Sequence, residues 1–130
     1  MRGTPMIAIV DDDEFFRASM RRLMRSLGYV FVIFPSAADF LGSRRLNETI
    51  CLIADVQMPG MTGVELYARL NELGYSIPTI LVTGYPDEST QTQALKDGVV
   101  CYLPKPFDDG ELICCLRRAA KGYKPRAKNS

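Results

Sequence analysis

ICLIADVQMPGMTGVELYARLNELG, residues 50–74, divides into a strand, a turn and a helix, and that order decides the fold. Ile50–Ala54 is apolar at every position, too uniformly so for a sheet with one wet face. It predicts a strand buried on both sides, as parallel sheets require. Thr62 and Glu65 then stand at capping-box spacing, where each side chain satisfies an orphan backbone N–H of the other's residue. Leu66, Leu70 and Leu73 continue as an i, i+4, i+7 stripe, the signature of a helix with one buried face. Gly74 falls where such a helix should stop.

The same unit recurs along the chain. Apolar runs rich in Val and Ile lie at Met6–Val10, Tyr29–Phe34, Thr79–Val82 and Val99–Leu103. Phe16, Met20, Leu23 and Leu27 form one more helical stripe, and Leu112, Leu116 and Ala120 form another. Ser36 and Asp108 sit at N-cap positions, followed three residues later by Asp39 and Glu111 as looser capping boxes. Gly28, Gly42, Gly98 and Gly122 join Gly74 as expected left-handed helix terminators. Five β-α units in series predict an α/β protein, a five-stranded parallel sheet between two helical layers. No internal repeat or low-complexity segment interrupts them.

Bulk properties narrow the function. The 130 residues suit one domain, and 47% apolar with 24% charged residues is the balance of a soluble globular protein. A formal charge of +1 gives no global pull toward nucleic acid or anionic lipid. No apolar run approaches the length of a membrane span and no signal peptide opens the chain, so no membrane partner and a cytoplasmic location are expected. Histidine is absent, which excludes Ser-His-Asp catalysis and His metal sites. The four cysteines have no C-x-x-C spacing. Cys51 and Cys101 read as small buried hydrophobes, and Cys114–Cys115 leaves room for one exposed thiol. The last ten residues carry Lys121, Lys124, Arg126 and Lys128 without an anion. A solvated, frayed terminus is the reading favoured for this tail, over contact with nucleic acid or the start of a linker to a further domain; residues 122–130 are set apart as basic tail or start of linker.

In open α/β sheets, sites form at the carboxyl ends of the strands. Asp11, Asp12, Asp13 and Glu14 follow the first strand, Asp55 the third, Thr83 the fourth and Lys105 the fifth. Each has an ordinary explanation alone; Asp13 and Glu14 in particular suit the first turn of a helix, where the macrodipole favours acids. Together they are chemically complementary. Carboxylates at 12 and 55 suit Mg²⁺, with Asp11 or Asp13 holding a coordinated water. A carboxylate can take a phosphoryl group as an aspartyl phosphate. An ammonium, a hydroxyl and Mg²⁺ would neutralise and position the phosphoryl oxygens.

IVDDD (9–13), ADVQMPGMTG (54–63), LVTG (81–84) and LPKPF (103–107) resemble the receiver domain of two-component response regulators. The resemblance covers about residues 5–121 and is nearest the nitrogen-fixation regulator (FixJ-type) group. It implies a doubly wound, flavodoxin-like (βα)5 fold with strand order 2-1-3-4-5. It further implies Asp55 as phosphoacceptor, Mg²⁺ held by Asp11, Asp12, Asp55 and the Gln57 backbone carbonyl, Thr83 and Lys105 as catalytic partners, and Tyr102 as the switch aromatic. Lys105–Pro106 is expected to be cis. The implied partner is a sensor histidine kinase or phosphotransfer protein. A phosphorylation-dependent homodimer through the fourth helix, fifth strand and fifth helix is a further expectation.

Two rivals fail on residues. A haloacid-dehalogenase-type phosphatase needs an acid two positions after its nucleophile, and position 57 is Gln, so no turnover enzyme is expected. A flavodoxin-like redox protein wants a phosphate cradle after the first strand, where four acids would repel it. Output stays open between a stand-alone regulator acting by protein contact and the receiver of a transcription factor. The tail and the FixJ-type likeness lean to the second, although no helix-turn-helix lies in these residues and direct DNA binding by them is not expected.

Overall fold

The computed structural model describes residues 4–123. The order is β1 (Met6–Val10), α1 (Glu14–Leu27), β2 (Phe31–Phe34), α2 (Ala37–Leu41), β3 (Thr49–Asp55), α3 (Gly63–Glu72), β4 (Thr79–Thr83), α4 (Glu88–Lys96), β5 (Cys101–Pro104) and α5 (Asp109–Gly122), with one 3₁₀ turn at Leu46–Glu48. The strands form one sheet in the order β2-β1-β3-β4-β5, parallel at every pairing. The expected doubly wound topology is therefore present.

Alternation along each strand explains the two cores. Met6, Ala8 and Val10 face the α2–α3–α4 layer with Phe34, Leu52, Ala54 and Leu81. Ile7 and Ile9 face α1 and α5 with Ile53, Ile80, Val82 and Leu103. Both faces are covered, so the strands carry no polar stripe. Cys51, Cys101 and Cys115 are buried in the α1–α5 core while Cys114 is exposed. Burial pushes the Cys51 thiol up to about 12, consistent with an inert hydrophobe.

Helix ends follow their caps, with corrections. Thr62–Glu65 forms the capping box, and Asp108–Glu111 forms an equally complete one. Ser36 accepts the Asp39 N–H. Asp13 caps α1, and Asp87 caps α4 by accepting from Thr90. Gly28, Gly74 and Gly98 are left-handed, but Gly42 has φ −84° and Gly122 is the last residue of α5. The helical stripes are shifted by one residue in places. Met24 is buried and Leu27 exposed in α1, Ala119 buried and Ala120 exposed in α5, and Leu73 lies at the exposed end of α3. Tyr29 and Val30 precede β2 and are exposed. Of the basic tail, Lys121 belongs to α5, whereas Lys124, Arg126 and Lys128 lie outside the described residues. Among the described residues no helix is long and apolar enough to cross a membrane.

Candidate functional site

The parallel register brings the strand ends to one edge of the sheet. Val10 pairs with Ala54, Asp55 with Val82, and Thr83 with Pro104. Asp11, Asp55, Thr83 and Lys105 therefore leave the sheet side by side. Carboxylate oxygens of Asp11, Asp12 and Asp55 lie within 4.8 Å of one another. Asp11 is fully buried and Asp12 exposed, so the cluster has a dry floor and a wet mouth. An all-oxygen donor set with one solvent-facing carboxylate suits a hard divalent cation.

Lys105 spans the cluster. Its Nζ lies 2.9 Å from Asp11 Oδ2 and 3.7 Å from Asp55 Oδ2. The ammonium also sits 4.0 Å above the Phe16 ring centroid, and Phe16 is set edge-on to Phe107. Cation–π contact and the β4–β5 pairing, where Lys105 N–H donates to the Thr83 carbonyl at 2.7 Å, hold this side chain in place. Lys105–Pro106 is cis, as expected. Arg17 supports Asp11 from below by donating to its backbone carbonyl at 3.0 Å.

Three carboxylates with one ammonium are out of balance, and the acidities record it. Burial pushes the Asp55 carboxyl up to about 6, with the Asp11 carboxylate adding to the rise and Lys105 opposing it. Burial also raises Asp11, against the pull of its hydrogen bond from Lys105. A cation bound among them would favour the charged form of both carboxylates.

Around this cluster, Gln57 N–H donates to Asp55 Oδ1 at 3.3 Å, and the buried Thr83 hydroxyl donates to Gln57 Oε1 at 2.6 Å. Gly63 opens α3 with its N–H on the Val56 carbonyl; an added methyl would overlap the Asp55 carbonyl, so only glycine lets the helix start this close. Tyr102 is only 6% exposed. Its ring lies in the α2–α3–α4 core, and its hydroxyl accepts the Asp87 N–H at 3.2 Å. Sheet geometry thus gathers Asp11, Asp12, Asp55, Lys105, Thr83 and Gln57, with Tyr102 set apart beside α4. Asp13 belongs instead to the helix cap. The contacts of Phe16, Arg17 and the Gln57 amide had no local signal, because each partner lies on another element or several residues away.

Residues 7–117 match the model of the response regulator receiver domain. The chain belongs to the response regulator receiver family. Nodulation protein W of Bradyrhizobium diazoefficiens is 39% identical over 121 residues, which are 93% of this chain and 53% of that protein. Response regulator protein TodT of Pseudomonas putida is 38% identical over 116 residues, 89% of this chain and 51% of that one. The receiver thus spans about half the length of the curated relatives it matches. Among solved structures, FixJ-N superposes with a TM-score of 0.78 at 32% identity, covering 95% of this chain and 98% of that one. Aspartyl phosphorylation is general to receivers, and relatives such as FixJ of Bradyrhizobium diazoefficiens, 33% identical over 95% of this chain and 60% of that protein, are named as transcriptional regulators.

Proposed function

We propose that Asp55 is the phosphoacceptor of this receiver, that Mg²⁺ is its cofactor, and that a sensor histidine kinase or phosphotransfer protein is its donor. The observation that carries the reading is the convergence of three carboxylates within 4.8 Å, opposite Lys105 and beside Thr83. An Asp55 oxygen attacks the phosphorus of the donor's phosphohistidine. The P–N bond breaks as the P–O bond forms, and the imidazole leaves with the electron pair. Asp11, Asp12, Asp55 and the Gln57 carbonyl are the residues assigned to the cation, whose charge, when bound, offsets that of the incoming phosphoryl oxygens. Lys105 leans from Asp11 toward the new oxygens, and the Thr83 hydroxyl donates to one of them.

Gln57 offers no carboxylate to activate water, so the protein is assigned to switching and not to turnover. Residues 5–121 are taken as the receiver and 122–130 as the basic tail. Tyr102 and the α4-β5-α5 surface are assigned to output, including a phosphorylation-dependent homodimer. The relatives' names favour transcription as the controlled process, over a stand-alone role through protein contact; a cytoplasmic setting is part of the same proposal. DNA contact is not assigned to this chain.

Intact mass after incubation with a small-molecule phosphodonor tests the reading, with and without Mg²⁺ and beside Asp55→Asn. One Mg²⁺-dependent phosphoryl adduct, absent in the variant, is expected. A folded wild-type chain that gains no mass sinks it.

A further inference from the structure

The Thr83 hydroxyl has one proton to give, and that proton is already committed. Its oxygen accepts the Tyr85 backbone N–H at 3.0 Å and lies 2.6 Å from Gln57 Oε1. A backbone N–H only donates, so the hydroxyl proton must point along the short bond to Gln57. Thr83 is fully buried, and its carbonyl is held by the Lys105 N–H. Turning the hydroxyl proton toward any other acceptor, by rotation about Cβ–Oγ1, therefore gives up the Gln57 bond. Gln57 is exposed, and its backbone N–H points at Asp55 Oδ1. The amide side chain thus leads from the acceptor carboxylate to the hydroxyl and occupies it.

We propose that the Gln57 side chain is a latch on Thr83, a positioning residue that keeps the hydroxyl proton from a phosphoryl group on Asp55 until the Gln57 bond is broken. The inference rests on the phosphoacceptor reading of Asp55 and goes beyond it. Phosphorylation then exchanges one hydrogen bond of Thr83 for another, so the hydroxyl favours the phosphorylated state only by the difference between them. Removing the Gln57 acceptor removes the competing bond. Because Gln57 is exposed, water replaces part of what is lost, and the gain sits at the low end of a net hydrogen bond, about threefold in affinity for a phosphoryl group.

Gln57→Met keeps an unbranched side chain of similar length and deletes the strong acceptor. The probe is fluoroberyllate with Mg²⁺, a stand-in for the phosphoryl group, titrated into wild type, Gln57→Met, Thr83→Ala and the double variant, with amide NMR shifts as the readout. Gln57→Met is expected to tighten binding about threefold. The same substitution in the Thr83→Ala background should change nothing, because no hydroxyl remains to release. Without Mg²⁺ or probe, the Thr83 γ-methyl resonance should already move in Gln57→Met. Binding that is unchanged or weaker in Gln57→Met, or an equal gain without the Thr83 hydroxyl, overturns the latch alone. A wild type that binds no probe overturns the phosphoacceptor reading and the latch with it.

Discussion

Helices α4 and α5 flank the same strand, β5, and are held by different means. α5 buries Leu112, Cys115, Leu116 and Ala119 against the sheet. α4 buries Ala94 alone. What α4 has instead is a tyrosine hydroxyl at each end. Tyr102 accepts the Asp87 N–H at its start, and Tyr67 donates to the Asp97 carbonyl at its finish at 3.1 Å. Apolar burial is broad and non-directional, whereas a hydroxyl bond contributes little net and depends on one geometry. The difference assigns rigidity to α5 and mobility to α4, as a low local density of buried contacts implies.

The comparison can be broken most easily at the cores. Leu112→Ala removes a fully buried side chain and should lower the unfolding free energy by about 2–5 kcal/mol. Ala94→Gly, in the single buried position of α4, should cost about 1 kcal/mol, mostly helix propensity. Urea unfolding of the two variants measures both. Equal losses would mean that α4 is anchored as firmly as α5, and the contrast would fail.

How much of this contrast could be read before the fold was known depends on the physical range of each interaction. The parallel sheet was legible because each strand faces two layers and so is apolar throughout. Thr62 and Asp108 were legible because capping acts over three residues. Periodicity was coarser: an i, i+4, i+7, i+11 stripe through Phe16 selects Leu23 and Leu27, while the helix buries Met24 one turn after Met20. Gly42 was expected left-handed because it falls where a helix should stop, yet α2 closes with an ordinary right-handed residue there. The site's four strand ends were likewise readable from topology. Neither the Thr83–Gln57 bond, 26 residues apart, nor Tyr67–Asp97, 30 apart, has any local trace. The Tyr102 ring lies inside, under the thin cover of α4, and no local pattern marks that placement.

A second test asks whether the stress at the carboxylate cluster belongs to the whole fold or to α4. Asp55 binds its proton near pH 6 in the folded chain and near the usual 3.8 when unfolded. Between those values the folded state holds more protons, so this group's effect on stability is absent below about pH 4 and becomes a loss as pH rises through 6. Asp55→Asn in chelator should therefore be more stable than wild type by about 1–3 kcal/mol at pH 7, with the gain disappearing near pH 4. Urea unfolding across that range checks the sign. Hydrogen exchange in α4 should be unaltered by the variant, since neither tyrosine bond involves Asp55. A variant less stable at pH 7 would mean that Lys105 outweighs burial and the Asp11 repulsion.

The smallest effect is the most local one. Gly98 has φ +112°, and a methyl there would sit 2.7 Å from the Tyr67 hydroxyl. Only glycine both adopts that backbone and leaves the hydroxyl a path to Asp97. Tyr67→Phe keeps the ring and deletes the bond. Because the bond is exposed, it should cost roughly 0.5–1 kcal/mol, seen as two- to fivefold faster exchange at the last amides of α4 and at Val99, whose N–H bonds to the Ala94 carbonyl. Amides of α5 should be unchanged. Faster exchange in both helices would make Tyr67 a part of the general core. No change in α4 would leave Ala94 and the Tyr102 bond as its anchors, and the Tyr67 bond would contribute nothing to holding the far end.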